Sequence, residues 1–325
     1  MLTELQGRGL ISALDVQLAR ALGRLGASAS EDGPASEAVM LGIAMASRGI
    51  REGHSCFPLE AQPAQLWPGE SVPGWPEGGA WAEALKASGL LEEGPLVLDS
   101  RARLYLRRYW ELEQGIAERL TRPRAALDAV PDSAWLGEAM DRLFGAKSTP
   151  LARQAARNAL QQPISLLCGG PGTGKTTVVA SIVALLIEQC RRREDRTPEV
   201  LFIAPTGKAA ARLKESVRQA KTRIAAGQRV LDAIPEEAAT VHQALGMRRH
   251  GMRFRHGPER PLEADIIVVD EASMIDLALM HQLLQAAPER ARLLLVGDPD
   301  QLSSVEAGSV LSDLVRAFER ADGTE

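Results

Sequence analysis

The chain has 325 residues, of which 45% are hydrophobic and 25% charged, and its net charge is -4. That length points to about two domains, and the composition argues against extended disorder outside short linkers. The charge excludes bulk attraction to nucleic acid, so such a partner has to be held by a local basic strip.

The first ten residues, MLTELQGRGL, carry no basic stretch followed by an apolar run, so a signal peptide is not expected. Leu10 to Leu25 has apolar residues at helical spacing (Leu14, Val16, Leu18, Leu22, Leu25), as does Ala38 to Ala46. The Pro- and Gly-rich stretch from about Pro58 to Gly79 predicts loop. Leu96 to Leu98, a turn at Asp99-Ser100, and Leu104 to Leu106 predict a small hairpin, and a helix from about Tyr109 to Leu120 follows before Pro123. Trp75, Trp81 and Trp110 are read as core or interface residues. Residues 1–120 are therefore taken as one domain, mainly α with a β-hairpin, and residues 121–325 as a second.

The second region alternates. Ile164 to Leu167, Val200 to Ala204, Ile266 to Val269 and Leu293 to Val296 read as buried parallel strands. Thr176 to Gln189, Ala209 to Ala220 and Ile275 to Ala287 read as helices, and the alternation predicts an α/β fold with a parallel sheet. Gly251 to Pro261 predicts an exposed basic loop. The longest apolar run, Val178 to Ile187, is too short to span a bilayer, so no membrane contact is expected. Cys56, Cys168 and Cys190 are odd in number and widely spaced, which argues against zinc and a disulfide framework and for a reducing, cytoplasmic setting.

The chemistry concentrates in three segments. Gly169-Gly170-Pro171-Gly172-Thr173-Gly174-Lys175-Thr176, with Thr177 behind it, fits the phosphate-loop pattern between a strand and a helix. Glycines there let backbone N–H groups surround phosphate oxygens, and the helix adds its positive end. Lys175 is expected on the β- and γ-phosphates and Thr176 on magnesium, which makes ATP and Mg2+ the expected cofactors. The apolar run Ile266 to Val269 ends in Asp270 and Glu271, which are expected to hold the hydrated metal and to orient or deprotonate the attacking water. Gln301 follows the strand Leu293 to Val296 on the side where ligands bind such sheets, placed to touch the γ-phosphate.

Taken together, GGPGTGKTT, APTGKAAARL (Ala204 to Leu213), TVHQALG (Thr240 to Gly246), VVDEASMID (Val268 to Asp276) and VGDPDQLSSVEAGSVLSDL (Val296 to Leu314) resemble superfamily-one helicases, and most closely the RecD subunits of the bacterial RecBCD helicase-nuclease. Residues 151 to 314 carry the resemblance. Leu14 to Gln17 and Gly53 to Leu59 extend it loosely into the first domain. The resemblance implies a RecA-like P-loop domain and a 5′-to-3′ DNA helicase working with RecB-like and RecC-like subunits in double-strand break repair. It places Gln154 at the adenine, and Thr206, Lys208 and His242 along single-stranded DNA. A solvated surface charge is the alternative reading of Lys208, and a core histidine that of His242. Stand-alone relatives carry helix-hairpin-helix repeats before the motor, and no such repeat stands in residues 1 to 120. A second RecA-like domain with arginines that complete the ATP site is expected in such helicases, and no segment up to Glu325 reads as one. A stand-alone helicase and a nucleotide-binding assembly subunit are the alternative readings.

Overall fold

The computed structural model describes residues 1–26, 34–122, 132–145, 148–170, 172–247, 254–301, 308 and 310–321. The chain divides into two compact units, one built mainly from Met1–Gly115 and the other mainly from Ile116 onward.

The first unit holds helices α1 (Leu2–Gly7), α2 (Ala13–Gly23), α3 (Pro34–Arg51), α4 (Pro63–Leu66) and α5 (Gly78–Ala87). Its antiparallel sheet runs β1-β3-β2, with β1 Cys56–Pro58, β2 Leu96–Leu98 and β3 Arg103–Leu106. The expected hairpin is β2–β3, with Leu96 opposite Leu106 and Leu98 opposite Leu104. Asp99 closes its turn by accepting the N–H groups of Arg101 and Arg103 at 3.0 and 2.8 Å. The stretch expected to be loop, 58 to 79, is loop for most of its length, broken by the four-residue α4 and ending in the start of α5. Trp81 is fully buried, packs 5.6 Å from Phe57 and 5.2 Å from Trp75, and donates its Nε1–H to the Ala38 carbonyl at 2.8 Å. Trp110 stacks edge-on against Tyr105 at 5.0 Å. Leu14 departs from the periodic reading, since it is 68% exposed.

Polar groups join α2 to α3. Ser12 caps α2, and Asp15 at the third position of that helix returns a bond to the Ser12 N–H at 2.8 Å. The same buried carboxylate accepts the Ser47 hydroxyl at 2.8 Å and Arg51 Nη2 at 3.1 Å, both from α3. Burial by itself raises the Asp15 carboxyl, but the bonds from Ser12, Ser47 and Arg51 outweigh it and leave it below its ordinary value.

Helix α6 (Arg107–Thr121) leads out of β3. The second unit then contains α7 (Ser133–Phe144), α8 (Pro150–Gln161), β4 (Ile164–Cys168), α9 (Lys175–Glu194), β5 (Val200–Ala204), α10 (Gly207–Lys221), α11 (Gln228–Ala233), β6 (Ala239–Thr240), α12 (Val241–Ala244), β7 (Ile266–Val269), α13 (Leu277–Ala286), β8 (Arg292–Gly297) and α14 (Val310–Ala321). The strands form one parallel sheet in the order β4-β8-β7-β5-β6. Helix α9 is buried from Val179 to Ile187 because α7, α8, α10 and α11 all pack on it, which explains its apolar run. Among the described residues no helix is long and apolar enough to cross a membrane. Helix α13 starts two residues later than expected, after a short 3₁₀ turn at Ala272–Met274. Arg292 of β8 donates through Nη1 to the Ala159 and Leu160 carbonyls, both at 2.8 Å, capping the last turn of α8 just before the chain enters β4. Burial lowers the Arg292 pKa to about 10, so it stays charged at neutral pH.

Asp15→Ala is expected to destabilise the first unit by about 3 kcal/mol, because the Arg51 charge and the Ser47 hydroxyl lose their acceptor. Since the folded-state pKa is depressed, the wild-type contribution is complete above the ordinary value of 3.8 and lost as pH falls below it. Chemical denaturation at pH 7 and pH 3 checks this: the gap between wild type and variant should shrink at the lower pH.

Candidate nucleotide site

The phosphate loop occupies Gly169 to Gly174, between the end of β4 and the first residue of α9. Pro171 lies outside the described residues. Gly172 and Gly174 take φ of 76° and 81°, left-handed values that glycine adopts without steric cost. A Cβ at Gly170, Gly172 or Gly174 would meet nothing within 4 Å, so bare backbone faces open space. Gly174 is the N-cap of the 20-residue α9 and brings no side chain to cap its first turn, which leaves that turn suited to an anion. Lys175 Nζ donates to the Gly169 and Gly170 carbonyls at 2.5 and 2.8 Å, so its ammonium lies across the loop. Thr173 Oγ1 donates to the Gly170 carbonyl at 2.9 Å. Thr176 is half-buried in the first turn, and the exposed Thr177 donates its N–H to Gly174 at 3.0 Å.

The two carboxylates leave the sheet centre. The Asp270 N–H still bonds to the Ile203 carbonyl at 2.9 Å, so Asp270 is anchored to β5. Burial first, and the adjacent Glu271 charge second, push its carboxyl above the usual range, against the Glu271 N–H and the Lys175 ammonium. The parallel register of β4, β8 and β7 brings the phosphate loop and the carboxylate pair to the same edge of the sheet. Glu271 sits at φ 51°, ψ 41°, a left-handed conformation that carries strain for a residue with a Cβ. Its carbonyl accepts the Met274 N–H at 3.0 Å, closing the 3₁₀ turn. No sequence signal marks this backbone, because glycine, asparagine and aspartate are the usual signs of it.

At the end of β8 the Gly297 carbonyl accepts the Gly169 N–H at 3.2 Å. Asp298 is buried and takes the Asp300 N–H at 3.1 Å. The Gln301 N–H bonds to the Asp298 carbonyl at 3.2 Å, and its side chain is exposed. Gln154 lies on the exposed face of α8, where its amide donates to Asn158 Oδ1 at 2.9 Å. Thr206 is the N-cap of α10 and accepts the Ala209 N–H at 3.2 Å, with Lys208 exposed in the first turn. His242, half-buried in α12, faces Phe254 at 6.0 Å. Thr206 and α12 follow β5 and β6, so they share the carboxyl edge of the sheet with the phosphate loop. Of the arginines in and just before the basic loop, Arg248, Arg249 and Arg253 lie outside the described residues, and Arg255 is exposed. In the Arg191–Arg193 tract, Arg191 bonds to Thr197 Oγ1 at 2.7 Å and Arg192 lies over the Trp135 ring.

The donor set suits magnesium. Thr176 and Asp270 offer hard oxygen donors, and the like charges of Asp270 and Glu271 are relieved by a dication. Among the described residues no group of three or more His, Cys, Asp or Glu side chains is placed to hold a metal alone.

Two family models match the chain: an AAA domain over residues 152–307, and the N-terminal domain of the RecBCD enzyme subunit RecD over residues 7–105. The RecBCD enzyme subunit RecD of Mycolicibacterium smegmatis is 43% identical over 286 residues, 86% of this chain and 49% of that protein. Its counterpart in Mycobacterium tuberculosis is 40% identical over 321 residues, 97% of this chain and 52% of that one. The ATP-dependent RecD2 DNA helicase of Deinococcus radiodurans is 41% identical over 152 residues, 47% of this chain and 18% of the helicase. The chain spans about half the length of the two RecD relatives it matches.

Glu271→Gly should raise stability by up to about 1 kcal/mol, since it removes both the left-handed strain and the repulsion on Asp270. Thermal unfolding beside wild type measures it. A lower midpoint in the variant would mean that the Glu271 side chain makes net stabilising contacts.

Proposed function

This chain belongs to the RecD family, and from that premise we propose that it is the ATP-hydrolysing, 5′-to-3′ DNA helicase subunit of a RecBCD-type complex acting in double-strand break repair by recombination. The observation that carries this reading is the sheet register, which brings the phosphate loop at the end of β4 and the Asp270–Glu271 pair at the end of β7 to one edge, with β8 between them.

In this reading the loop Gly169 to Gly174 and the first turn of α9, with Thr177, hold the phosphates. Lys175 exchanges its two carbonyl partners for β- and γ-phosphate oxygens, a charge-assisted bond in place of two neutral acceptors. Bound Mg2+, held by Thr176 and Asp270, would neutralise charge on the phosphates. Glu271 orients the attacking water and takes its proton. Gln301 touches the γ-phosphate, and Gln154 turns from Asn158 toward the adenine. Thr206 and the start of α10 hold a DNA phosphate, with Lys208 and His242 along the strand. Residues 1–120 form a partner-docking domain for RecB-like and RecC-like subunits, and residues 121–325 form the ATP-binding motor domain. The match of residues 7–105 to a RecD N-terminal domain supports the complex-bound subunit over a stand-alone helicase. The proposed setting is the cytoplasm.

Steady-state ATP hydrolysis, with and without single-stranded DNA, tests the assignment in the full-length protein. Lys175→Gln should lower turnover by at least about 10²-fold with an unchanged melting curve. Glu271→Gln should keep ATP binding and lose about 10² to 10⁴-fold in turnover. Undiminished hydrolysis in Lys175→Gln would sink the site. Binding that collapses with turnover in Glu271→Gln would make that residue structural or a metal ligand.

A further inference from the structure

Gly297 touches every part of the nucleotide site that comes from a different strand. Its carbonyl accepts the Gly169 N–H at 3.2 Å, tying it to the phosphate loop. Its backbone is not left-handed, so conformation does not demand a glycine there. Space does. A Cβ on Gly297 would stand 2.6 Å from Leu311 Cδ2, 3.2 Å from the Ser273 nitrogen and 3.4 Å from the Ala272 nitrogen. Ala272 and Ser273 begin the 3₁₀ turn directly after Glu271. That turn is packed closely enough that the buried Ser273 hydroxyl has no hydrogen-bond partner among the described residues. Leu311, on α14, is 1% exposed and closes the third side.

We propose that Gly297 is a positioning residue for phosphoryl transfer: its bare Cα sets the separation between the phosphate loop and the turn that carries Asp270 and Glu271. This rests on the ATP-hydrolysing reading of the site. A methyl group at 297 has two ways out. Leu311 can swing its side-chain end aside, but the Ser273 nitrogen at 3.2 Å is backbone and can yield only by moving the turn, with the Ala272 nitrogen already in van der Waals contact behind it. Motion of that turn carries Glu271 away from the water it must orient, while the loop glycines and Lys175 keep their grip on the phosphates. The expected signature is a loss in turnover without a matching loss in nucleotide binding, which a merely structural glycine would not give.

The test compares Gly297→Ala, Gly297→Val, Leu311→Ala and the Gly297→Ala/Leu311→Ala double variant in the full-length protein. It follows ATP turnover, equilibrium ATP binding and backbone hydrogen exchange. Gly297→Ala should lower kcat about 10-fold or more and leave ATP affinity within about threefold, with a larger kcat loss in Gly297→Val. Exchange across residues 270–275 should rise in both, and exchange in α1 to α3 should not. The double variant removes the 2.6 Å overlap and keeps the 3.2 Å backbone contact, so it isolates the effect of the turn from that of Leu311 and still reads out should Gly297→Ala fail to fold. It should still turn over more slowly than Leu311→Ala. The proposal is overturned if Gly297→Ala matches wild type, or the double variant matches Leu311→Ala, in both turnover and 270–275 exchange. It is also overturned if affinity and kcat fall together. Absence of hydrolysis by wild type would count against the ATPase reading alone, and the exchange data would then decide the role of Gly297.

Discussion

The parallel ladder that sets Cys168 opposite Gly297, and Val269 opposite Leu295, fixes where three loops leave the sheet. A slip of one residue in either pairing would turn each side chain of the strand to the other face. The uninterrupted apolar strands resist that slip because both faces are covered: β7 is buried at all four residues and β8 at five of six. Given that register, the phosphate loop, the carboxylate pair and the Gly297 segment emerge side by side. The cap that Arg292 places on α8 fixes the approach to the same edge from the other end of β4.

Charge at the site is arranged in tension. Asp270 and Glu271 are neighbours in sequence, and Asp270 is drawn out of water, so two negative charges stand where one is already disfavoured. The Lys175 ammonium eases that only in part, since its hydrogen bonds go to loop carbonyls. A polyphosphate with its cation supplies what each group lacks: anionic oxygens for Lys175 and a positive charge for the carboxylates. The left-handed backbone at Glu271 adds a second unfavourable element at the same point. The sheet and the buried helix α9 provide the stability against which this local disfavour is held.

Much of this was legible because the second unit obeys simple periodicities. Four apolar runs became β4, β5, β7 and β8, and Lys175 and Thr176 open α9 right after the glycines that follow β4, as the pattern demands. What escaped has definite causes. Strand β6 has two residues, too few for any alternation to register. Helices α7 and α8 precede the sheet, where no strand alternation frames them. In the first unit, glycine and proline between 58 and 79 signalled loop, and most of the segment is loop, but the signal could not show that Trp75 anchors it against the buried Trp81. The strain at Glu271 and the crowding at Gly297 belong to tertiary geometry, and neither residue type announces them.

The pairing of β4 with β8 also bears on how the protein is made. Ile164 leaves the ribosome roughly 130 residues before its partner Leu293, a wait of about 6 to 25 seconds at ordinary synthesis rates. Until then the nascent β4 lacks the strand it pairs with, and the phosphate loop lacks the Gly297 carbonyl that tethers it. Non-local parallel pairing of this kind forms slowly and leaves apolar strands uncovered in the meantime. The first unit draws its sheet from residues 56 to 106 and can complete that sheet early. The second unit is therefore the part of this chain whose strands wait longest for their partners.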